Sequence, residues 1–440
     1  MIGMKRKKNI FVMGLDDFNL KLMKDVSREE KYEFHGLLDI KEILDGPYFD
    51  VPALLHKAKA QLQHFSGSID AIVGYWDFPA ILLMPILRRE FALKGPTLES
   101  VLKCEHKYWS RLEQQKVVPQ CIPQFILADP NDENAMSRFD FPLPFWIKPV
   151  KAHSSMFGFR VNSEDEFYYS RKQICAGIGQ FSDPLNAIMN YACLPEYIKG
   201  VHGRHCLVEE IISAKHQCTL EGYVFDRQVE IYGVVDSIRG ENQSSFERYE
   251  YPSRLPKTIQ ERMKRIARLA IIQTGLQYSP FNIEFFYDPD SGRISLLEIN
   301  ARISKSHSPL FQKVDGVAHN EIMIDVALGK RPSFPFRQGR FKFAAKFMPR
   351  LYGNVGDTNI VKVPDAQKIR EIERHYPGTE IHVHVKEGMR LSELYQQDSY
   401  SYQLATIFMG ADDHNTLLQQ YLECLQALDI QWRSPYETSS

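Results

Sequence analysis

The chain lacks any run of about 18 consecutive apolar residues, so no membrane-crossing helix is expected and no membrane partner. It also lacks a surplus of charge. Lys and Arg number 54 against 55 Asp and Glu, a net charge of −1, which argues against a general nucleic-acid binder but leaves room for a local basic nucleotide pocket. No C-x-x-C pair occurs. Seven cysteines, at 104, 121, 175, 193, 206, 218 and 424, form an odd, scattered set without metal-ligand spacing. That pattern favours reduced thiols in a cytoplasmic protein, and none recommends itself as a nucleophile. Internal repeats and low-complexity tracts are missing. A secretory leader is not expected either. The basic run Lys5-Arg6-Lys7-Lys8 is followed by an apolar stretch, Ile10 to Met13, that is too short and is interrupted by Asp16-Asp17.

At 440 residues, 44% hydrophobic and 25% charged, the chain is long enough and apolar enough for two or three globular domains. The first part alternates strands (9–14, 32–38, 71–75) with helices (18–26, 53–64, 78–91), which implies a parallel α/β sheet. No G-x-G-x-x-G follows the first strand. Gly14 stands alone, so a dinucleotide fingerprint is absent. Beyond the break at Lys94-Gly95-Pro96, one helix is expected from Leu98 into Gln114, then an extended passage 118–125 and an acidic loop 129–140. A strand ends at Lys148-Pro149-Val150, and 165–197 is largely helical. Leu207 to Ile212 forms a strand and hinge, 217–225 and 229–237 an antiparallel pair, and 258–274 a helix. After Pro335 come short strands (341–348, 360–363, 380–385), two helices (366–375, 415–429) and a tail, 434–440, expected to be disordered.

Turn chemistry at Asp288-Pro289-Asp290-Ser291-Gly292, flanked by aromatic and β-branched runs, predicts a hairpin with Glu284 and Glu298 opposite each other. Strand alternation puts Glu298, Asn300 and Arg302 on one face. Two bare carboxylates about 4 Å apart repel by roughly 4 kcal/mol at an effective dielectric near 20. A hard divalent cation would relieve that repulsion, and the arginine would suit a phosphate. An ordinary solvated hairpin face is the competing reading. Upstream, Lys148 precedes a small-residue loop, His153-Ser154-Ser155-Met156-Phe157-Gly158, which could cradle phosphates, although P-loop spacing is missing. Val208-Glu209-Glu210-Ile211-Ile212 sets two acids in an apolar run, where they need a partner such as a lysine or the polar groups of a nucleotide.

Taken in order, these features resemble the ATP-grasp superfamily. They are Lys107 on a helix, Lys148 with its loop, the hinge at Glu209 to Ile212, an acidic strand at Glu221, and E…E-I-N-x-R at Glu284, Glu298, Asn300 and Arg302. The resemblance covers about residues 1–335 and is most similar to the biotin-carboxylase-like and L-amino-acid-ligase-like branches. It implies a multidomain α/β and α+β chain. A Rossmann-like pre-ATP-grasp domain would span 1–95 and a small lid subdomain with linker helix 96–205. A C-terminal α+β module, 336–440, is read from the elements after Pro335 themselves, and the core with its metal hairpin would span 206–335. It implies ATP and Mg²⁺ (or Mn²⁺) as cofactors. Lys107, Lys148 and the loop His153, Ser154, Ser155 and Gly158 would hold phosphates, and Glu209, Glu210, Ile211 and Ile212 the adenine. Glu221 would lie on the ribose side. Glu284, Glu298 and Asn300 would hold metal, and Arg302 would stabilise the transferred phosphoryl group. Where related ligases carry a Gly-rich stretch, this chain has Ile303-Ser304-Lys305-Ser306-His307-Ser308, which should alter the acceptor site. His307 and Arg239 are candidates to meet substrate there. The implied activity is ATP-dependent joining of a small carboxylate, such as an amino acid or short peptide, to an amine through an acyl phosphate. The alternatives are a biotin-type carboxylase subunit, for which no biotin-attachment tract is seen, and a non-catalytic ATP-binding interaction protein. A homodimer through the N-terminal unit is a family expectation.

Overall fold

The computed structural model describes residues 6–26, 32–44, 48–132, 134–138, 141–152, 156–242, 244–353, 355–394 and 401–433. The expected disordered tail, 434–440, lies outside them, as do His153, Ser154 and Ser155 of the expected phosphate loop.

The first unit is the expected parallel α/β layer, with three strands in the order β2–β1–β3: β1 (Lys8–Met13), β2 (Tyr32–Leu37) and β3 (Ala71–Val73). Helices α1 (Asp17–Val26), α2 (Ile40–Leu44), α3 (Val51–Gln63) and α4 (Ala80–Glu90) surround it. Asp50 starts α3 by accepting the Ala53 N–H at 3.0 Å, so one orphan donor of the helix end is satisfied.

The single helix expected from Leu98 into Gln114 is broken in two, α5 (Leu98–Glu105) and α6 (Lys107–Val117). His106 makes the break. It is fully buried, and its Nδ1 accepts the Trp109 N–H at 3.2 Å as the cap of α6. Lys107 therefore opens a helix, and its N–H donates to the Val150 carbonyl at 2.8 Å.

A four-stranded antiparallel sheet follows, ordered β4–β7–β5–β6: β4 (Phe125–Ala128), β5 (Phe145–Pro149), β6 (Phe159–Val161) and β7 (Cys206–Glu210). Helices α7 (Glu164–Gly177), α8 (Gly179–Met189) and α9 (Glu196–Lys199) lie between β6 and β7. Because β7 pairs between β4 and β5, the division expected at 205/206 would cut a strand from the middle of its sheet.

The largest sheet is antiparallel, ordered β12–β11–β8–β9–β10–β13–β18–β16. Its first part is β8 (His216–Phe225), β9 (Gln228–Arg239), β10 (Phe246–Tyr251), β11 (Ser279–Tyr287) and β12 (Ile294–Asn300). Helix α10 (Lys257–Thr274) precedes β11 and stops at Gly275, whose φ of +78° only glycine takes easily. Helices α11 (Ser308–Asp315) and α12 (Asn320–Ala327) follow β12. The expectation of a separate module after residue 335 gives way here. Strand β13 (Phe343–Phe347) hydrogen-bonds to β10 with Lys346 opposite Tyr249, so the sheet runs on without interruption. The remaining elements are β14 (Arg350–Tyr352), β15 (Asn359–Lys362), α13 (Ala366–His375), β16 (Glu380–Val383), β17 (Ser401–Gln403), β18 (Ala405–Ala411), α14 (His414–Leu428) and β19 (Gln431–Arg433). Among the described residues no helix is long and apolar enough to cross a membrane.

Candidate active site

The β11–β12 hairpin turns where its sequence predicts. Asp288 Oδ2 accepts from the Ser291 N–H at 3.1 Å and from its hydroxyl at 2.6 Å, and Gly292 takes φ +68°. Glu284 lies opposite Glu298, but by an indirect route. The turn sets a register of Tyr287 with Ile294, Phe286 with Ser295 and Phe285 with Leu296. Continued, that register would face Glu284 with Leu297. A bulge passes over Leu297 and brings Glu298 into place, re-aiming a side chain as bulges near sites do.

The carboxylates are tightly framed. Gln217 Nε2 donates to Glu284 Oε2 at 2.9 Å, and Gln217 Oε1 accepts from Arg239 Nη2 at 2.8 Å, so Arg239 reaches Glu284 through an amide relay. Asn300 Nδ2 lies 3.1 Å from Asn282 Oδ1 and 3.4 Å from Glu298 Oε1. Burial first, and the charge of Glu298 second, hold the Glu284 carboxyl well above the usual carboxylate range. A divalent cation would remove both penalties. Among the described residues no three His, Cys, Asp or Glu side chains converge as a metal centre. Two carboxylates and an amide instead fit a Mg²⁺-like ion that completes its shell with phosphate oxygens and water.

Cations crowd the same cleft. Lys107 Nζ donates to the Ala152 carbonyl at 3.0 Å, and burial together with Lys151 lowers the lysine to about 8. Glu298 and Lys148 also act on its charge, which places the helix lysine, the strand lysine and the β11–β12 hairpin in one electrostatic neighbourhood. Arg302 pairs with Asp77, from the loop after β3, at 2.7 Å. Burial opposes the Arg302 charge, but Asp77 and Glu105 more than offset it, and its pKa is raised. The Arg302 Nε is buried without a hydrogen-bond partner, so it can still donate to an incoming oxygen.

Several expected roles change. Glu209 was expected at the adenine, yet its carboxylate takes Arg111 Nε on one oxygen and Lys148 Nζ on the other, both at 2.5 Å. Burial would raise this carboxyl, but Arg111 and then Lys148 override it and hold it at about 2. Glu210 points the opposite way, as strand alternation requires, and meets Arg293 at 3.3 Å on the surface. Ile211 and Ile212 follow β7 half-buried. Glu221, expected on the ribose side, is fully buried with its Oε1 at 2.7 Å from His307 Nδ1. Burial raises the acid well above its ordinary range and drops the imidazole well below its own, disfavouring the charged form of each. His307, expected to meet substrate, is 2% exposed and immobilised by Glu221, which fits a residue that positions the loop. Arg239 lies over the Phe246 ring at 4.7 Å and donates to Ser244 O and Gln217. Gly158 is half-buried between Phe157 and β6.

Other site residues carry no motif of their own. Arg111 sits one helical turn beyond Lys107, and its Nη1 and Nη2 donate to the Leu296 and Leu297 carbonyls at 3.2 and 2.9 Å, bracing the bulge. Lys151, three residues beyond Lys148, is buried against Glu105 at 2.5 Å. Asp77 and Lys346 come from remote segments, so only the fold reveals them.

Comparison with known proteins agrees with this geometry. Residues 141–309 match the model of an ATP-grasp domain. A stretch of 104 residues is 34% identical to the carbamoyl phosphate synthase large chain of Kocuria rhizophila, covering 24% of this chain and 9% of that one. Solved structures share the fold over nearly the whole length. The L-amino acid ligase of Bacillus licheniformis aligns with a TM-score of 0.73 at 15% identity, covering 98% of this chain and all of the other. A biotin carboxylase–ATP complex from Campylobacter jejuni aligns at 0.63 and 14%, covering 97% of this chain and 92% of that one. The matched residues, 141–309, include Lys148, the hinge at Glu209 to Ile212 and the β11–β12 hairpin, and this part of the chain is similar to ATP-grasp domains.

Proposed function

We propose that the protein is an ATP- and Mg²⁺-dependent ligase that joins a small carboxylic acid to an amine. The observation that carries this is the bulged hairpin, which sets two half-buried carboxylates face to face beside Arg302, Lys107 and Lys148. The fold shared with an amino-acid ligase supports the carboxylate–amine class. Likeness to a biotin carboxylase keeps a carboxylase subunit as the second reading.

In this reading Lys107 and Lys148 approach the ATP phosphates, with Lys148 oriented by Glu209. Glu284, Glu298 and Asn300 would hold Mg²⁺ or Mn²⁺, which when bound neutralises phosphate charge and aligns the terminal phosphoryl group. Arg302, braced by Asp77, presents its free Nε–H to the oxygens that gain charge as phosphoryl transfers to the acid, the electrostatic work that such sites perform. The carboxylate oxygen takes the phosphoryl group and ADP leaves. An amine then attacks the acyl carbon, loses a proton, and phosphate departs as the amide forms.

The test is ADP and phosphate release by the full chain with Mg²⁺ and pairs of acids and amines. Dependence on both co-substrates is expected, with loss in Glu298→Gln of at least about a hundredfold. Turnover with bicarbonate and biotin alone would favour the carboxylase. A folded Glu298→Gln protein with undiminished ADP release would overturn the metal assignment.

A further inference from the structure

The lysines of the cleft fall into two groups. Lys148 and Lys151 each carry a carboxylate at 2.5 Å, Glu209 and Glu105. Lys107, Lys305 and Lys346 have no carboxylate at ion-pair distance among the described residues. Lys107 meets only the Ala152 carbonyl, as befits a lysine awaiting phosphate. Lys305 lies over the Trp76 ring, 3.2 Å from its centre, and Lys346 meets the Ser306 hydroxyl at 3.0 Å. The two acids whose charge acts on Lys305, Asp77 and Asp16, are already engaged. Asp77 holds Arg302, and Asp16 takes the Tyr75 hydroxyl at 2.7 Å and Asn19 at 2.9 Å.

Lys305 and Lys346 come from different segments and repel each other. Lys305 and Ser306 lie in the loop just after Arg302, Trp76 belongs to the N-terminal unit, and Lys346 is on β13. The loop residues Lys305 and Ser306 thus meet Trp76 of the N-terminal unit and Lys346 of β13, so three remote parts of the chain set two ammonium groups about one short loop just after Arg302. A fold gains nothing by gathering unneutralised cations in a half-buried place, because each costs desolvation and repels the other. We propose that Lys305 and Lys346 bind a second anionic group, carboxylate or phosphate, on a substrate acid whose reacting carboxylate lies at Arg302. Burial lowers Lys305 to about 7 and Lys346 to about 8, and a bound anion would restore both charges. The preferred acid is therefore dianionic. This inference rests on the ligase reading.

Thermal shift of the full chain tests it without turnover. The probes are L-glutamate, L-aspartate and O-phospho-L-serine, each against its neutral counterpart, L-glutamine, L-asparagine and L-serine. Mg²⁺–ADP is the control for the nucleotide site, and each protein is compared with its own unliganded midpoint. The anionic members should stabilise the native chain more than their partners. Lys305→Met and Lys346→Met should each weaken that binding about tenfold or more while the ADP shift is kept. Lys346→Gln serves if the methionine variant does not fold. Preference for the amino dicarboxylates identifies a carboxylate as the second anion, and preference for phosphoserine a phosphate. Equal shifts by charged and neutral members, no shift by any, or discrimination that survives both substitutions overturns the proposal. Loss of the ADP shift in the native chain is a different failure, that of the nucleotide reading.

Discussion

Replacing Arg111 with methionine tests whether a buried guanidinium holds the metal hairpin in register. Arg111 is 2% exposed and makes four bonds: to Glu209 at 2.5 Å, to Gln114 Oε1 at 2.7 Å, and to the Leu296 and Leu297 carbonyls. Methionine keeps much of the volume but strands a buried carboxylate with Lys148 alone and leaves two carbonyls of the bulge without their donor. Breaking one side of a buried ion pair costs about 3–5 kcal/mol. In a chain this long that lowers the melting temperature by roughly 2 °C or less per kcal/mol, so a drop of about 5–10 °C is expected by scanning calorimetry. Activity should fall further than stability implies. If Glu298 drifts by about 1 Å as the bulge relaxes, the rate falls on the order of a hundredfold. The double variant Arg111→Met/Glu209→Met removes both charges but leaves Lys148 without its carboxylate, so it should regain part of the stability and none of the activity, because the bulge still lacks its donor. Glu209 adds a pH signature. Its folded pKa of about 2 lies below the ordinary 4.5, so its contribution is present above pH 4.5 and is lost as pH falls toward 2. That acid-sensitive component should be missing from Glu209→Gln. An Arg111→Met protein that melts within about 1 °C of the native chain would refute the reasoning, since a buried carboxylate cannot lose its guanidinium partner at so small a cost.

Two further outcomes follow from the ion pairs. Asp77→Asn should lower kcat about tenfold to a hundredfold with little change in the KM for ATP, because Arg302 loses the partner that aims it, and an unchanged kcat would remove Asp77 from the site. Lysines lowered to about 8, 7 and 8 at positions 107, 305 and 346, against an ordinary 10.5, mean that the unfolded chain binds more protons over that interval. The unliganded protein should therefore gain stability as pH rises from about 7 toward 10.5. Lys346→Met should show a flatter rise in melting temperature, and parallel profiles would contradict the burial of that ammonium.

Local chemistry made the ATP side legible in the sequence. Turn residues at 288–292 predicted the hairpin, and the opposition of Glu284 and Glu298 followed from counting about its centre. The count succeeded for a reason it did not contain. The true turn centre lies half a residue away, and the bulge at Leu297 restores the opposition. Nothing near Leu297 announces a bulge, because the group that stabilises it is Arg111, 186 residues earlier. The partners of Glu209 and Glu221 were hidden for a related reason. A buried acid advertises that it needs a partner, but only the fold says whether that partner is a lysine, a histidine or a nucleotide.

The acid side of the cleft was nearly illegible because no one segment owns it. Texture changes after Pro335 suggested a separate module, yet β13 continues the sheet of the hairpin and carries Lys346 to the loop holding Lys305. Sheet pairing between β10 and β13 joins strands about a hundred residues apart, a distance over which composition carries no signal. The same arrangement separates what the two sides demand. In the proposed reading, phosphate chemistry needs Lys148, Glu284, Glu298 and Arg302 together, and all four fall within the matched residues 141–309. In the same reading, recognition of the acid is divided between Lys305, which lies over Trp76, and Lys346, all apart from the proposed metal ligands Glu284, Glu298 and Asn300. Substrate choice can therefore drift while the ATP site stays intact, and the departure from a Gly-rich stretch at Ser304 to Ser308 is where this chain differs in that respect.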